Sequence, residues 1–168
     1  MRMSSGPPAE PPEELTAPLA YEGVWRFTAP ALESSVPQAR HAVRDLLAQQ
    51  RVPVAEEVVD ALLLIASELV TNAVQHAALL SPEIAVEVTV GAGWIRVAVE
   101  DDHPYRPKAV EADEGDVGGR GLWLVKMLTA EAGGKCDVEH TASGGKAVWA
   151  ELPLAPPADG PTSPPPAP

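Results

Sequence analysis

In two consecutive segments of the chain, every second residue is a large apolar one. The apolar positions of the two segments are Ile84, Val86, Val88 and Val90, and then Ile95, Val97 and Val99. A period of two is typical of a strand with one buried face. The turn Gly91-Ala92-Gly93 between the segments predicts a β-hairpin over Glu83–Val90 and Trp94–Glu100. Such a hairpin needs a second layer to cover its apolar face.

The rest of the chain predicts that second layer and further strands. Ser34 or Ser35 can cap a helix that runs to about Gln50, with Pro37 tolerated in its first turn. The other predicted elements are a strand at Glu22–Thr28, a helix from about Ala55 to Ala78, a helix from Gly121 to about Ala130, and strands near Lys135–Thr141 and Lys146–Leu152. Long helices beside consecutive hairpin strands predict an α+β two-layer sandwich, with a mostly antiparallel sheet covered on one face by helices.

Proline marks the ends of the expected domain. Of the 19 prolines, 13 lie in residues 1–18 and 153–168. Segments of this kind have little apolar surface to bury and lose a backbone donor at each proline. We therefore expect disordered proline-rich tails at residues 1–19 and 154–168 and one folded domain at residues 20–153.

Charge and composition exclude several classes of protein. The chain has 12 basic and 24 acidic residues, a formal net charge of −12, which disfavours direct nucleic-acid binding. The single cysteine, Cys136, excludes an intramolecular disulfide framework and a cysteine-rich zinc site. No stretch approaches the roughly 18 apolar residues of a membrane span, and the N-terminal residues lack the apolar run of a secretion signal. The sequence thus predicts a soluble, cytoplasmic protein.

The long second helix carries a polar stripe. Glu68, Asn72 and His76 are spaced four residues apart, so their side chains lie along one side of the helix. One interpretation is an ordinary amphipathic helix with a wet face. The other is a reactive site, in which Glu68 accepts a proton and Asn72 offers a neutral oxygen to Mg²⁺, an ion that prefers oxygen ligands. His76 lies near the helix end, where a plain structural role is favoured.

Asp101 follows the second hairpin strand. Counting in twos from Val97 and Val99 places Asp101 on the apolar face, where a carboxylate needs a hydrogen-bond donor. One such donor is the amino group of a ligand. Alternatively, the strand ends at Glu100, Asp101 turns to solvent, and Asp102 caps a turn before Pro104.

A glycine cluster opens the third helix. Gly118-Gly119-Arg120-Gly121 is followed by apolar residues that begin at Leu122. Glycines let backbone amides approach an anion, and the positive end of the helix dipole favours phosphate. Arg120 adds a fixed cation. The cluster is neither a Walker nor a Rossmann pattern, so by itself it is also compatible with a plain loop.

Together and in this order, these segments resemble the ATP-binding domain that Hsp90-type chaperones, DNA gyrase, MutL and histidine kinases share (the GHKL family). They are most similar to the stand-alone bacterial anti-sigma factor serine/threonine kinases. SELVTNAVQHA resembles the first box of the family, DDHPYRP the second, GGRGLWLV the third, and GGKAVWAEL the terminal strand. The resemblance extends from about Ser35 to Leu152, nearly the whole expected domain.

The resemblance implies a role for each matching residue. Asn72 would coordinate Mg²⁺ on the nucleotide phosphates, Glu68 would be the catalytic base, and Asp101 would accept a hydrogen bond from the adenine amino group. Residues at the third box would contact the nucleotide, and the loop before it would act as a lid. These cofactor-binding residues are Gly119, Arg120, Gly121 and Leu122.

The chain departs from the family pattern at two places. The second box usually reads Asp-x-Gly-x-Gly, but both glycines are missing here. A threonine often stands beside the adenine site on the last strand, and Ala147 is expected at that position. The expected lid carries four carboxylates, which predicts a strong dependence of ATP binding on Mg²⁺; these are Glu111, Asp113, Glu114 and Asp116.

The resemblance favours an ATP-binding regulator of the anti-sigma factor type. Such a protein would bind a sigma factor and phosphorylate a serine or threonine of an anti-anti-sigma (antagonist) protein. The resemblance is also compatible with a homodimer that forms through the N-terminal strand and helix. The alternative is a nucleotide-binding interaction module without kinase activity. The catalytic half of a split histidine kinase is disfavoured, because the segment QARHAVRDLL around His41 is too short for the helical hairpin that it needs.

Overall fold

The secondary structure follows the predicted order of strands and helices. The computed structural model describes residues 20–77, 82–102 and 120–157. Within them the elements are β1 (Gly23–Pro30), α1 (Ser35–Gln49), α2 (Glu56–Ala77), β2 (Glu83–Gly91), β3 (Trp94–Asp101), α3 (Arg120–Glu131), β4 (Lys135–His140) and β5 (Lys146–Pro153). The observed bounds differ from the predicted ones by one or two residues, a difference expected at frayed ends.

The five strands form one antiparallel sheet in the order β1-β2-β3-β5-β4. The predicted hairpin is present, with Val88 opposite Val97 and Gly91 opposite Trp94. Strand β5 lies between β3 and β4 and pairs with both, so the last strand lies inside the sheet and β4 lies at its edge. This order brings the start of β5 next to the end of β3.

Helices α1, α2 and α3 lie on one side of the sheet, which confirms the α+β sandwich. The alternating apolar residues of the strands face these helices and are buried with the apolar side of α2. The completely buried apolar residues of the core include Leu62, Ile65, Val70, Val86, Val88, Ile95, Val97 and Leu152. The opposite face of the sheet carries charged side chains.

The first helix begins differently from the expected capping arrangement. Ser34 stands at the N-cap position, but its side chain makes no capping hydrogen bond. The hydroxyl of Ser35 donates instead to the carbonyl oxygen of Pro30 at 2.6 Å, and Ser35 is fully buried. The expected side-chain cap is therefore wrong, because the turn after β1 offers this hydroxyl a closer acceptor.

Ordered contacts continue just past β5. Leu154 is buried, its amide donates to the carbonyl oxygen of Gly93, and its own carbonyl accepts from the amide of Ala55. The predicted tails at residues 1–19 and beyond residue 157, the expected lid, Gly119 and the side chain of Arg120 lie outside the described residues. Among the described helices, none combines the length and the apolar character needed to cross a bilayer.

Candidate functional site

The polar stripe of α2 turns partly towards the interior. Asn72 is buried, with 6% of its surface exposed, and Glu68, one turn earlier, is half-buried. Two hydroxyls beside them are used by the helix itself. Ser67 donates to the carbonyl oxygen of Leu63 at 2.9 Å, and Thr71 donates to that of Ser67 at 2.7 Å. The protons of both hydroxyls are therefore used within the helix, and the stripe also holds the carboxylate of Glu68 and the amide of Asn72.

The start of α3 lies directly against Glu68. A Cβ built on Gly121 would be only 2.6 Å from Oε2 of Glu68, a separation shorter than side chains tolerate. Glycine at position 121 therefore lets the first turn of α3 approach the carboxylate. The first turn of a helix also has amide groups without intrahelical partners and the positive end of the dipole. Glu68 and the start of α3, where two separate sequence motifs lie, thus come together.

Leu122 occupies a different environment from Gly121. Its side chain is buried in the core against the sheet. Leu122 therefore fixes the start of α3 on the core, and only its backbone is available to a ligand.

Asp101 belongs to β3 and points inward. It is the last residue of the strand, opposite Lys146 of β5, and only 3% of its surface is exposed. Its burial matches the inward face of Val97 and Val99, as the period of two predicts. The alternative, a strand that ends at Glu100 with Asp101 in solvent, is wrong.

A buried lysine lies beside this aspartate. Lys146 has no exposed surface, and its Nζ lies 3.9 Å from Oδ2 of Asp101. Among the described residues, Nζ has no hydrogen-bond partner. Burial lowers the pKa of the Lys146 ammonium below 10.5, and the negative charge of Asp101 opposes this effect only in part.

The expected position of Ala147 is wrong. Ala147 pairs with Glu100, not with Asp101, and it faces the side of the sheet away from the helices. The residue that the fold places beside Asp101 is Lys146. A period-two count along GGKAVWAEL, anchored on the buried Val148, could have found this residue.

A cavity of about 270 Å³ lies on the side of the sheet that the helices leave open, with Ala147 and Trp149 in its lining. Arg26 forms ion pairs there with Glu100 at 2.9 Å and Glu87 at 3.5 Å. The guanidinium of Arg96 stacks over Trp149 at 4.0 Å from the ring centroid. This cavity is separated by the sheet from Glu68 and Asn72, so it is not part of the same site.

The arrangement suits a purine nucleotide with its base and phosphates at opposite ends. The buried Asp101 offers an acceptor to a base, and the start of α3 offers amides to phosphates. Asn72 supplies one neutral oxygen of the kind that Mg²⁺ accepts. In residues 20–77, 82–102 and 120–157 no group of three His, Cys, Asp or Glu side chains could hold a metal alone. A metal here would take further ligands from the nucleotide.

Comparison with known proteins bears on the family and the fold of the chain. The family model of the histidine kinase-like ATPase domain matches residues 29–152, which include β2, β3 and all three helices. No curated relative matches the chain.

Two solved structures share the fold. One is a Mycobacterium tuberculosis chain, the RsbU and RsbW domains of Rv1364c, with 20% identity and a TM-score of 0.57. The similarity covers 81% of the present chain but only 34% of that chain. The other is the nucleotide-free catalytic domain of the histidine kinase ThkA, with 16% identity, a TM-score of 0.52, and coverage of 80% and 99% respectively. At these identities the likeness concerns the fold.

Proposed function

Because the chain belongs to the histidine kinase-like ATPase domain family, we propose that it is an ATP-binding regulatory protein that phosphorylates a serine or threonine of an antagonist protein. The observation that carries this proposal is the contact between Glu68 and Gly121. It puts a carboxylate base beside the helix end that is suited to phosphate. A base and a phosphate site in contact are what transfer to a hydroxyl requires.

Each residue of the site has a distinct task in this proposal. Glu68 takes the proton of the attacking hydroxyl, whose oxygen bonds to the γ-phosphorus of ATP while the bond from that phosphorus to the β,γ-bridging oxygen breaks and ADP leaves. The amides at the start of α3, with Gly119 and Arg120, stabilise the charge of the transferring phosphoryl group. Asn72 holds Mg²⁺, which offsets phosphate charge, and Asp101 holds the base. The helix and sheet that carry these groups are packed on one core, so their spacing is fixed before the nucleotide binds.

The proposed partners are a sigma factor and its antagonist protein. This choice rests on the similarity of the sequence motifs to anti-sigma factor kinases. Phosphorylation would add a charge of roughly −2 to the antagonist, enough to weaken a contact with this acidic chain. Release of the antagonist would then leave the regulator available to the sigma factor.

The test is transfer of labelled phosphate from ATP to candidate antagonist proteins. We expect Glu68→Gln to reduce transfer at least a hundredfold, the scale typical of a lost general base, while ATP affinity stays within a few-fold. Glu57→Gln, in the exposed first turn of α2, is the matched control and should transfer normally. Binding can be followed by the fluorescence of Trp123, which is 40% exposed in the first turn of α3. Equal loss of binding and transfer would contradict the role of Glu68.

A second candidate function is that of a nucleotide-binding protein that does not transfer phosphate. In it, ATP only changes the shape of a surface that binds a partner. The absence of both second-box glycines favours this candidate, because the proline that follows at position 104 stiffens the chain. Binding of ATP without transfer to any antagonist, together with a change in partner affinity, would support it over the kinase.

A further inference from the structure

Lys146 and Asp101 form a buried pair in which the lysine is not fully satisfied. The 3.9 Å between Nζ and Oδ2 permits electrostatic attraction but is too long for a hydrogen bond. No described residue accepts a hydrogen bond from Nζ, although Lys146 has no exposed surface. An ammonium has three hydrogen-bond donors, and burying donors that make no hydrogen bond is costly. Within the described part of the chain, a strong donor beside the carboxylate is therefore left without an acceptor.

The position of this donor follows from the register of the sheet. Asp101 and Lys146 are opposite each other at the ends of β3 and β5, and both face the helices. An acceptor and a donor are thus fixed side by side on one rigid platform. The next residues on the same face of the two strands, Val99 on β3 and Val148 on β5, are buried and apolar. The two charged groups consequently lie at the end of an apolar row on the side of the sheet that faces the helices.

A purine base presents a matching pair of groups. In adenine the 6-amino group is a donor and the adjacent ring nitrogen N1 is an acceptor. This edge lies opposite N9, which carries the ribose and the phosphates. A nucleotide whose phosphates reach the start of α3 would therefore enter with the N1 edge leading, towards the most deeply buried polar groups.

We propose that Lys146 is a specificity residue of the nucleotide site, which donates a hydrogen bond to N1 of adenine while Asp101 accepts from the 6-amino group. This inference rests on the proposed nucleotide-binding function. The ligand would supply an acceptor to the buried lysine, for which the described residues offer none, and its amino group would donate to the aspartate. A base that lacks the ring acceptor would leave the ammonium unsatisfied.

The test compares the calorimetric affinities of three nucleotides. 1-Deaza-ATP replaces N1 by a CH group, and 7-deaza-ATP makes the same change at N7, so the second compound is the control for the first. We expect wild-type protein to bind 1-deaza-ATP at least tenfold more weakly than ATP, the effect of one hydrogen bond from a charged donor, and to bind 7-deaza-ATP about as well as ATP.

The variant Lys146→Met tests whether the preference for ATP over 1-deaza-ATP depends on this lysine. It keeps the length of the side chain but has no donor, so we expect it to bind ATP and 1-deaza-ATP with affinities within about twofold of each other. Lys135→Met, on the exposed edge strand, should keep the wild-type preference. If Lys146→Met does not fold, the wild-type comparison of the two deaza compounds still decides.

Two results would overturn the inference, and they can be told apart. Equal wild-type affinity for ATP, 1-deaza-ATP and 7-deaza-ATP would remove the role of Lys146 while nucleotide binding remained. Absence of binding by all three compounds, with or without Mg²⁺, would remove the proposed function as well.

Discussion

Gly121, at the start of α3, lies so close to Glu68, in the middle of α2, that a Cβ at position 121 would be 2.6 Å from the Oε2 atom of the carboxylate. The two residues are 53 positions apart in the sequence. The contact gives the only reason that the described structure offers for a glycine at this helical position, where alanine would favour the helix. It also makes the geometry of the proposed base sensitive to a single methyl group.

Gly121→Ala should separate activity from stability. The added Cβ displaces the end of the Glu68 side chain, and we expect phosphate transfer to fall about tenfold or more, since small misplacements of a reacting group are costly. The free energy of unfolding should change by less than about 1 kcal/mol, because the carboxylate is free to rotate and alanine is a better helix former. Transfer assays and urea unfolding measure the two effects.

The control for Gly121→Ala is the double variant with Glu68→Gln. If the methyl group acts through the carboxylate, adding it to Glu68→Gln should cause little further loss. Normal transfer by the single variant would show that the orientation of Glu68 does not limit the reaction.

Gly145→Ala should be strongly destabilising. Its Cβ would overlap the carbonyl oxygen of Asp101 and lie 2.7 Å from Cα of Asp102, and neither backbone atom can move without shifting β3. We expect a loss of about 2 kcal/mol or more in the free energy of unfolding. Gly23→Ala is the matched control, since the atoms nearest to its Cβ belong to the side-chain ring of Trp25 and not to the backbone. Urea unfolding that gave the same small loss for both would contradict the close approach of Gly145 to β3.

The buried Lys146 should make stability depend on alkaline pH. Burial lowers the pKa of its ammonium below 10.5 in the folded state, so between the two pKa values the unfolded chain binds more protons. The contribution of Lys146 to the free energy of unfolding therefore rises as the pH increases between the two pKa values, and it levels off near pH 10.5. We expect the free energy of unfolding of wild type, relative to Lys146→Met, to increase as the pH rises from the lowered pKa of the folded state towards 10.5, by at most about 1.4 kcal/mol for each pH unit.

Urea unfolding at intervals of one pH unit measures this difference. Lys135→Met, which removes a largely exposed lysine at the sheet edge, controls for general effects of alkaline pH. A difference between wild type and Lys146→Met that did not change with pH would show that the ammonium is not destabilised by burial.

Most of the fold could be predicted from the sequence because its signals are local. The period of two in β2 and β3 and the long apolar stripe of α2 gave the hairpin, the helices and the inward position of Asp101. The capping of α1 could not be predicted in the same way. The hydroxyl of Ser35 bonds to Pro30 because the turn after β1 brings that carbonyl close, and no sequence pattern encodes this.

The order of residues along the chain is enough to indicate which side chains face the core and which residues could carry nucleotide chemistry. A strand exposes alternate residues and a helix repeats every three to four, whatever else the chain does. Which of these residues meet depends on how the elements pack. Lys146 lies beside Asp101 because β5 lies between β4 and β3 and pairs with β3 in one particular register, and Glu68 meets Gly121 because α2 and α3 pack on the same sheet. Contacts between distant segments depend on how complete elements fit together, and no local pattern fixes that.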